Sequence, residues 1–434
     1  MMHPLIVALL DLNHAILIVS LALVLEFGAY LLWALIRHVR LRESGMARER
    51  EQLGRSLPPD GMLPDIMVQI PCYNEQAVVR RIVAAVAALD WPLDRLHIQV
   101  INDDSTDDTP LLAEEALAAA RARGIDAGML KRTKRRGYKA GALQAGLELS
   151  TAEYVAVFDA DFVPPVDFLR RCMPPLIYEP RLAFVGARWD HINGDANALT
   201  AAQQRIKDCD FAVVQLPDCW AGNVVYFDGT CGVWRRRAID EAGGWRPEAF
   251  SEDTDLSLRV QLLGWRGLRL ASVAVPGELP ESMGAWLKQQ ANWSKGTGRV
   301  LRLHLFGIWR SALPFRSKLA ATLWLGTDLF GPALLIAVIT GAIDLLLSQT
   351  TPLTIGMAAA AAALVPLAGG AALVMGQCFL RQADPREEVV RSLTAIVAYA
   401  YSQVWSAVRI RLEGPLKEKV ATPKTGVGIA PGNR

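Results

Sequence analysis

Two carboxylates stand one residue apart at the end of an apolar run: Asp159 and Asp161 follow the sequence YVAVF of residues 154–158. At this spacing, with only Ala160 between them, both side chains can reach the same divalent cation. A Mg²⁺ or Mn²⁺ ion held by one or two carboxylates keeps coordination positions for the phosphates of a substrate. The pattern predicts a metal site or, taken in isolation, a polar turn after a strand.

Three further polar segments have residue types suited to binding or catalysis. The acidic run NDDSTDD (102–108) contains Asp103 and Asp104, either of which can accept hydrogen bonds from a ribose or a base, although such residues also form Asx turns and helix caps. The basic run KRTKRRGYKAG (131–141) suits a diphosphate or a solvated surface. Lys139 is its strongest candidate, because the flanking glycines allow close approach of a ligand. The sequence SEDTD (251–255) places acids in the first turn of a helix, where the helix dipole alone also favours them.

The elements that must position these residues alternate between β-type and helical patterns. Apolar runs at residues 66–70, 97–101 and 154–158 are candidate strands, and residues 109–122 are a candidate helix. This alternation predicts an α/β fold with a parallel sheet and crossover helices. Because ligands collect at the carboxyl ends of strands in such sheets, we expect the polar segments to meet at one edge.

The composition narrows the class of protein. Of the 434 residues, 52% are hydrophobic, and the mean hydropathy of +0.21 is high for a soluble enzyme, so part of the chain is expected in a membrane. A net charge of +2 gives no argument for nucleic-acid binding. The six cysteines form no CxxC pair, which favours reduced thiols facing the cytosol over disulfides or a zinc site.

Long apolar runs predict the membrane-spanning part. Residues 15–36 can cross a bilayer, and the arginines that follow predict a retained anchor with its N-terminus outside and the next domain in the cytoplasm. Residues 329–347 and 353–379 predict two further spans. Residues 392–408 precede basic residues that oppose a crossing, which predicts an interfacial or re-entrant helix. Residues 283–309 mix tryptophans with basic residues and predict an amphipathic helix on the membrane surface.

The predicted organisation therefore has six parts. They are an N-terminal transmembrane anchor (1–36), a cytosolic catalytic domain (60–282), an interfacial amphipathic segment (283–316), two transmembrane helices (318–380), an interfacial or re-entrant helix (388–412) and a cytosolic tail (413–434).

A series of motifs occurs in order between residues 60 and 300: PCYNE, NDDSTDD, GYKAG, DAD, GARWDHING, FDGTCG, SED and QQANW. Together they resemble the family 2 processive glycosyltransferases, and the sequence is most similar to the cellulose-synthase-like mannan and glucomannan synthases. The resemblance implies a GT-A (Rossmann-like) catalytic domain that uses a nucleotide sugar and a Mg²⁺ or Mn²⁺ ion. It also implies inversion of the anomeric centre to form a β-glycosidic link.

The resemblance further implies roles for individual residues. Asp253, with Glu252 beside it in the SED motif, would be the general base that deprotonates the acceptor hydroxyl. The residues implied in nucleotide binding are Tyr73, Glu75, Asp103, Lys139 and Asp159, and the implied metal ligands are Asp159 and Asp161. The residues implied in acceptor binding are Asp228, Gly229, Thr230, Gln289, Gln290 and Trp293. The tail sequence KVATPKTG resembles the gating loop of these synthases, with Thr422 and Lys424 as its polar members.

One position departs from the family pattern. The QxxRW element of the synthases reads QQANW in this chain, so Asn292 stands where the family has arginine. The change removes a positive charge expected near the diphosphate, and a nearby lysine is not a bidentate guanidinium. Slower chemistry, a different donor or an inactive homologue would each follow from this loss.

The expected function is that of a multi-pass membrane glycosyltransferase that elongates a β-mannan, glucomannan or β-glucan from GDP-mannose, GDP-glucose or UDP-glucose. Two alternatives stay open: transfer of a single sugar to a membrane lipid such as ceramide or diacylglycerol, and a non-catalytic nucleotide-binding subunit. Because three spanning helices would form a thin channel, polymer secretion would require a homo-oligomer or a secretion partner. The Ala- and Arg-rich sequence favours a bacterial inner membrane.

Overall fold

The computed structural model describes residues 4–413 and, from the C-terminal tail, residues 424 and 426. The strands of this part are β1 (Ile66–Cys72), β2 (Leu96–Asp103), β3 (Asp126–Arg132), β4 (Tyr154–Val157), β5 (Leu182–His191), β6 (Gly232–Arg235) and β7 (Arg266–Gly277). Its α-helices are α1 (Pro4–Leu53), α2 (Val79–Ala87), α3 (Thr109–Ala122), α4 (Tyr138–Glu148), α5 (Phe168–Tyr178), α6 (Ala198–Cys209), α7 (Leu216–Trp220), α8 (Arg236–Glu241), α9 (Glu252–Leu262), α10 (Met283–Arg310), α11 (Phe315–Gly326), α12 (Phe330–Leu346), α13 (Pro352–Arg381) and α14 (Pro385–Glu413). Thr422 of the predicted gating loop lies outside the described residues.

The strands form one mixed sheet in the order β3-β2-β1-β4-β6-β5-β7. Strands β1, β2 and β4 are parallel, as the alternating pattern predicts, and helix α3 has the predicted bounds. Strand β3, which was not predicted, pairs parallel with β2. The sequence did not predict that β6 runs antiparallel to both β4 and β5. The carboxyl ends of β1, β2 and β4 therefore lie side by side, which is the arrangement that collects ligands in such sheets.

Both faces of the sheet are covered, which explains why the central strand β4 is apolar throughout. All four residues of β4 are buried. One face packs on α2, α3 and α5 through residues such as Ile82, Leu117 and Phe168, and the other packs on α4, α8 and α9. Strands buried on two faces lose the alternation of polar and apolar residues that half-buried strands show.

Three segments of the described residues are long and apolar enough to cross a membrane: Leu5–Leu53, Phe315–Leu346 and Pro352–Arg381. They include the three predicted spans. Helix α1 continues well past residue 36, where its polar side chains find partners around the sheet. Arg37 forms a buried ion pair with Asp218, and the Glu49 carboxylate accepts hydrogen bonds from the backbone N–H groups of Ala271 (2.9 Å) and Ser272 (2.8 Å). These contacts fix the membrane anchor to the sheet.

The helix predicted to be interfacial or re-entrant is one continuous helix, α14, which packs against α6, α10, α12 and α13. It is not among the segments that could span a membrane by length and composition. Apolar side chains spaced four residues apart, including Leu393, Val397 and Tyr401, are exposed along one face. Such a stripe suits contact with lipid, so the interfacial placement stays a prediction.

Candidate active site

Most of the predicted site residues surround one cleft at the carboxyl ends of β1, β2 and β4. Its cavity has a volume of about 270 Å³. Of the residues singled out in the sequence, those lining the cleft are Tyr73, Glu75, Asp103, Lys139, Asp159, Asp161, Asp228, Gly229, Glu252, Asp253, Gln289, Trp293 and Lys424. Residues separated by up to several hundred positions are thus brought together by the fold.

The two carboxylates after β4 each face a lysine. The Lys139 ammonium lies 2.5 Å from Asp159 Oδ1 and donates to the Gly229 carbonyl at 2.8 Å, while Lys424 of the tail forms an ion pair with Asp161. Gly137 precedes α4 with a φ of +78°, a conformation that favours glycine, and this turn brings Lys139 into the first turn of the helix. Burial alone would lower the pKa of Lys139, but Asp159 and other acids raise it above its ordinary value, so the side chain is charged.

Acidic side chains are concentrated around Asp161. Burial, followed by the charge of Asp161, raises the pKa of Glu75 to about 8. Glu278 lies in the same cleft and pairs with Arg81 at 2.7 Å. No group of three or more His, Cys, Asp or Glu side chains among the described residues is arranged to hold a metal ion. A cation bound by Asp159 and Asp161 would therefore need oxygen ligands from a substrate, as Mg²⁺ commonly does.

The end of the cleft at β2 is lined by a cation and an aromatic ring. Asp103 forms ion pairs with Arg132 and with Arg135, whose Nε lies 3.4 Å from a carboxylate oxygen. The Arg135 guanidinium stacks 3.2 Å from the centre of the Tyr73 ring. Burial raises the pKa of Asp103. A planar guanidinium on an aromatic face presents a flat surface on which a nucleobase can stack.

The acid of the SED motif lies across the cleft from β4. Asp253 Oδ1 accepts hydrogen bonds from the Ser251 hydroxyl (2.9 Å) and from the Thr254 backbone N–H (2.8 Å), which hold the carboxylate in place. Its Oδ2 faces Gly229, where an added Cβ would lie only 2.8 Å away. The close approach of Gly229 thus brings the loop before β6 against a carboxylate suited to accept a proton.

Two residues implied in acceptor binding lie elsewhere. Thr230 is fully buried beneath the cleft, where its hydroxyl accepts a hydrogen bond from the Asp159 backbone N–H at 2.8 Å. It positions Asp159 and does not line the cavity. Gln290 lines a second cavity on the membrane side, because successive residues of a helix point in directions about 100° apart. Its neighbour Gln289 does line the cleft, and so does Asn292.

The end of the cleft at Trp293 contains an aromatic and cationic cluster that the sequence predicts only in part. The Lys207 ammonium lies 3.8 Å from the centre of the Trp293 ring, and the Trp189 ring lies 6.4 Å from Trp293. His191 also lines the cleft, its Nε2 is buried without a hydrogen-bond partner among the described residues, and burial lowers its pKa to about 3. Trp189, His191 and Lys207 were not predicted as site residues, although the first two belong to the GARWDHING motif.

Comparisons with known proteins agree with this geometry. Residues 67–243 match the family described as Glycosyl transferase family 2. Glucomannan 4-beta-mannosyltransferase 9 of Arabidopsis thaliana is 41% identical over 249 residues, which are 56% of this chain and 46% of that protein. Glucomannan 4-beta-mannosyltransferase 1 of Cyamopsis tetragonoloba is 35% identical over 303 residues, 69% of this chain and 58% of that protein. The chain spans about half the length of the curated relatives it matches.

One solved structure extends the likeness to the whole chain. The mannosyltransferase PcManGT of Pyrobaculum calidifontis, solved in complex with GDP-Man and Mn²⁺, covers 90% of this chain and 100% of its own, with a TM-score of 0.59 and 19% identity. At this identity the likeness concerns the fold alone. The sheet, the carboxylate cluster and the sequence match agree that residues 67–243 of this chain are a glycosyl transferase family 2 domain with a GT-A-like fold.

Proposed function

We propose that the protein is an inverting membrane glycosyltransferase that transfers a mannosyl residue from GDP-mannose to the hydroxyl of a growing β-mannan or glucomannan. The observation that carries the proposal is the convergence of Asp159, Asp161 and Asp253 in one cleft, where the Lys139 ammonium pairs with Asp159. The relatives named as glucomannan mannosyltransferases favour mannose over glucose as the transferred sugar. GDP-glucose and UDP-glucose are the donors to compare with it.

A divalent cation fits the same site. Asp159 and Asp161 would hold Mg²⁺ or Mn²⁺ together with the two phosphates of the donor, and the surrounding acids favour a cation there. When bound, the ion neutralises the negative charge that develops on the leaving diphosphate. Lys139 supplies a fixed positive charge on the same side, and Arg135 with Tyr73 offers a stacking surface for the base.

The residues around the acceptor perform the proton transfer. The bond between the anomeric carbon and the diphosphate oxygen breaks as the acceptor oxygen forms its bond to the opposite face of that carbon. Asp253 Oδ2 takes the proton of the acceptor hydroxyl, while Ser251 and Thr254 hold Oδ1. Trp293 supplies an apolar face on which the acceptor ring stacks.

We further propose that the catalytic domain faces the cytoplasm, as the arginines after the first span predict. The named relatives are plant proteins and give no support to a bacterial inner membrane. Export of a polymer through so few spanning helices would need a second copy or a secretion partner.

The test is nucleotide release by the full chain in lipid nanodiscs, with Mn²⁺ or Mg²⁺ and each of the three donors. Asp253→Asn should reduce turnover by roughly 10²–10⁴-fold, the contribution of a general base, with binding of the donor retained. Asp94→Asn, the same change at an exposed position outside the cleft, should leave turnover unchanged. Equal turnover by wild type and Asp253→Asn would reject the assignment of the base.

A second candidate function rests on Asn292. A subunit that binds nucleotide without turnover would release none from any donor, yet would bind GDP-mannose. Asn292→Arg restores the arginine of the family motif, and a gain of turnover in that variant alone would favour this reading. Turnover by the wild type would reject it.

A further inference from the structure

A chain of cavities leads from the cleft into the membrane-spanning helices. Next to the cleft lies a space of about 150 Å³, and beyond it lies a space of about 250 Å³, here called the inner cavity. Lys207 and Trp293 line the cleft and both of these spaces. The inner cavity is enclosed by residues of α1, α6, α10, α11, α12, α13 and α14, so it connects the site to membrane depth.

The inner cavity continues into a larger space of about 560 Å³, here called the outer cavity, between α1, α12 and α13. Phe330, Val365, Ile396 and Ala400 line both.

The outer cavity opens towards the position of the lipid. Val338 and Leu345 of α12 and Ile355 of α13 line it, and their exposed fractions are 62%, 70% and 58%. Side chains that line a cavity and are also exposed on the outer surface of spanning helices mark its mouth. A molecule in the bilayer can therefore enter between α12 and α13 without passing through the aqueous cleft.

The chemistry of the outer cavity identifies the kind of molecule that fits. Among the described residues that line it, only Thr350 and Thr354 have polar side chains, and the Thr354 hydroxyl already donates to the Thr351 carbonyl. A glycan would bury hydroxyl groups there without partners, which is costly. A hydrocarbon chain would bury apolar surface against aliphatic side chains, which is favourable.

We propose that the acceptor glycan of this enzyme is carried by a lipid. The hydrocarbon chain occupies the outer cavity and the apolar side of the inner cavity, and the sugar head lies among the polar groups of the inner cavity and reaches the cleft past Trp293. The inference rests on the proposed glycosyltransferase function and names its acceptor class. It is an alternative to a free polysaccharide that crosses the membrane between the same helices.

The polar groups at the end of the inner cavity nearest the cleft favour a sugar head group over a phosphate. Lys207 faces the Trp293 ring, and the carboxyls of Asp210 and Asp328 line the same space. One cation beside two acids is a poor site for an anion but suits hydroxyl groups, which both donate and accept hydrogen bonds. Trp293 adds a flat apolar surface for a sugar ring.

The first experiment is photolabelling of the full chain in nanodiscs with dodecyl β-mannoside that has a diazirine in its alkyl chain. Labels are expected on the cavity-lining residues of α1, α13 and α14. Labels restricted to the outward faces of α12 and α13 would overturn the proposal. This measurement does not depend on turnover.

The second experiment compares sugar transfer to dodecyl β-mannoside with transfer to free mannobiose. Gly369→Leu is expected to raise KM for the alkyl acceptor about tenfold, because the new side chain fills space otherwise used to bury methylene groups. A Cβ at Gly369 would meet only Leu31, at 3.9 Å, so a larger side chain at this position starts in open space within the inner cavity. Gly356→Leu, on the same helix with nothing within 4 Å, is the matched control and should leave KM unchanged.

The outcomes separate the two proposals. An unchanged KM in Gly369→Leu, or transfer to a polyprenyl phosphate in place of the alkyl mannoside, would overturn the lipid-linked sugar acceptor. Cavity labelling without transfer from any donor would keep the lipid site and reject the glycosyltransferase. Transfer to free mannobiose without cavity labelling would keep the glycosyltransferase function and reject the lipid site.

Discussion

The contact between Gly229 and Asp253 allows the proposed general base to be displaced without removing it. Gly229 has a φ of +81°, and a Cβ at this position would lie 2.8 Å from Asp253 Oδ2 and 3.4 Å from Lys139 Nζ. In Gly229→Ala the carboxylate must therefore retreat by several tenths of an ångström from the position that it holds over the cleft. Its other oxygen is fixed by two hydrogen bonds, so the carboxylate must rotate or break one of them.

Two effects of Gly229→Ala can be separated by a control. The left-handed backbone conformation costs an alanine about 1–2 kcal/mol of stability wherever it occurs. Gly124 has a φ of +89° with nothing within 4 Å of an added Cβ, so Gly124→Ala has the backbone cost alone. Misplacement of a reacting group by about 1 Å can cost about 10²-fold in rate, so a smaller shift of the base should lower kcat by roughly tenfold to a hundredfold.

The assay measures nucleotide release and thermal unfolding of both variants in nanodiscs. Both should unfold at a similarly reduced temperature, whereas only Gly229→Ala should lose activity, with donor affinity changed less than kcat. If Gly229→Ala keeps kcat within about threefold of wild type, the placement of Asp253 over the acceptor is wrong. Equal losses of kcat in both variants would mean that general destabilisation, and not the base, explains the effect.

Three further predictions concern the metal, the pH and the anchor. Asp161→Asn should raise the Mn²⁺ concentration for half-maximal nucleotide release by about 10–100-fold, because it removes the binding free energy of one charge-assisted contact. An unchanged Mn²⁺ titration would reject Asp161 as a metal ligand. Because Glu75 has a pKa of about 8 in the folded state against 4.5 in the unfolded chain, the folded state loses stability as pH rises between these values. In metal-free protein, the unfolding temperature of the wild type should fall as the pH rises, and that of Glu75→Gln should not. An identical fall in both proteins would contradict the raised pKa of Glu75. Arg37→Met should lower the free energy of unfolding by about 3–5 kcal/mol, because it leaves Asp218 buried without its cation. The same change at the exposed Arg237 should cost less than about 1 kcal/mol. Equal shifts of the unfolding temperature in the two variants would refute this difference between the buried and the exposed ion pair.

The sequence predicted the elements of the nucleotide-binding half of the sheet because their signals are local. Helix α3 begins beside Pro110 and ends before Gly124, and β1, β2 and β4 are apolar runs that end in polar residues. The antiparallel strand β6 has only four residues, and nothing in its own sequence indicates its direction. Its pairing depends on β4 and β5, which are distant in the chain.

Within the site, the motifs did not predict in which direction each side chain points. The sequence FDGTCG suggests three neighbouring residues with similar surroundings, yet Gly229 approaches Asp253 whereas Thr230 is buried under Asp159. Likewise, Arg135 lies in a basic run that suits a solvated surface, but it stacks on Tyr73 because both follow the ends of adjacent strands. These placements follow from tertiary packing, which residue type and spacing do not predict.

One helix sets the distance between the donor site and the membrane. Gln289 and Asn292 of α10 face the cleft, Gln290 and Ser294 face the inner cavity, and Trp293 lines both. The helix also packs against α14, whose residues close the inner cavity. In the lipid-linked acceptor proposed above, a rigid α10 would hold the sugar at a fixed depth relative to the hydrocarbon chain. On this proposal α10 alone sets the distance between the sugar and the lipid. A change in the packing of α10 is therefore expected to alter acceptor choice before it alters binding of the proposed nucleotide at β1 and β2.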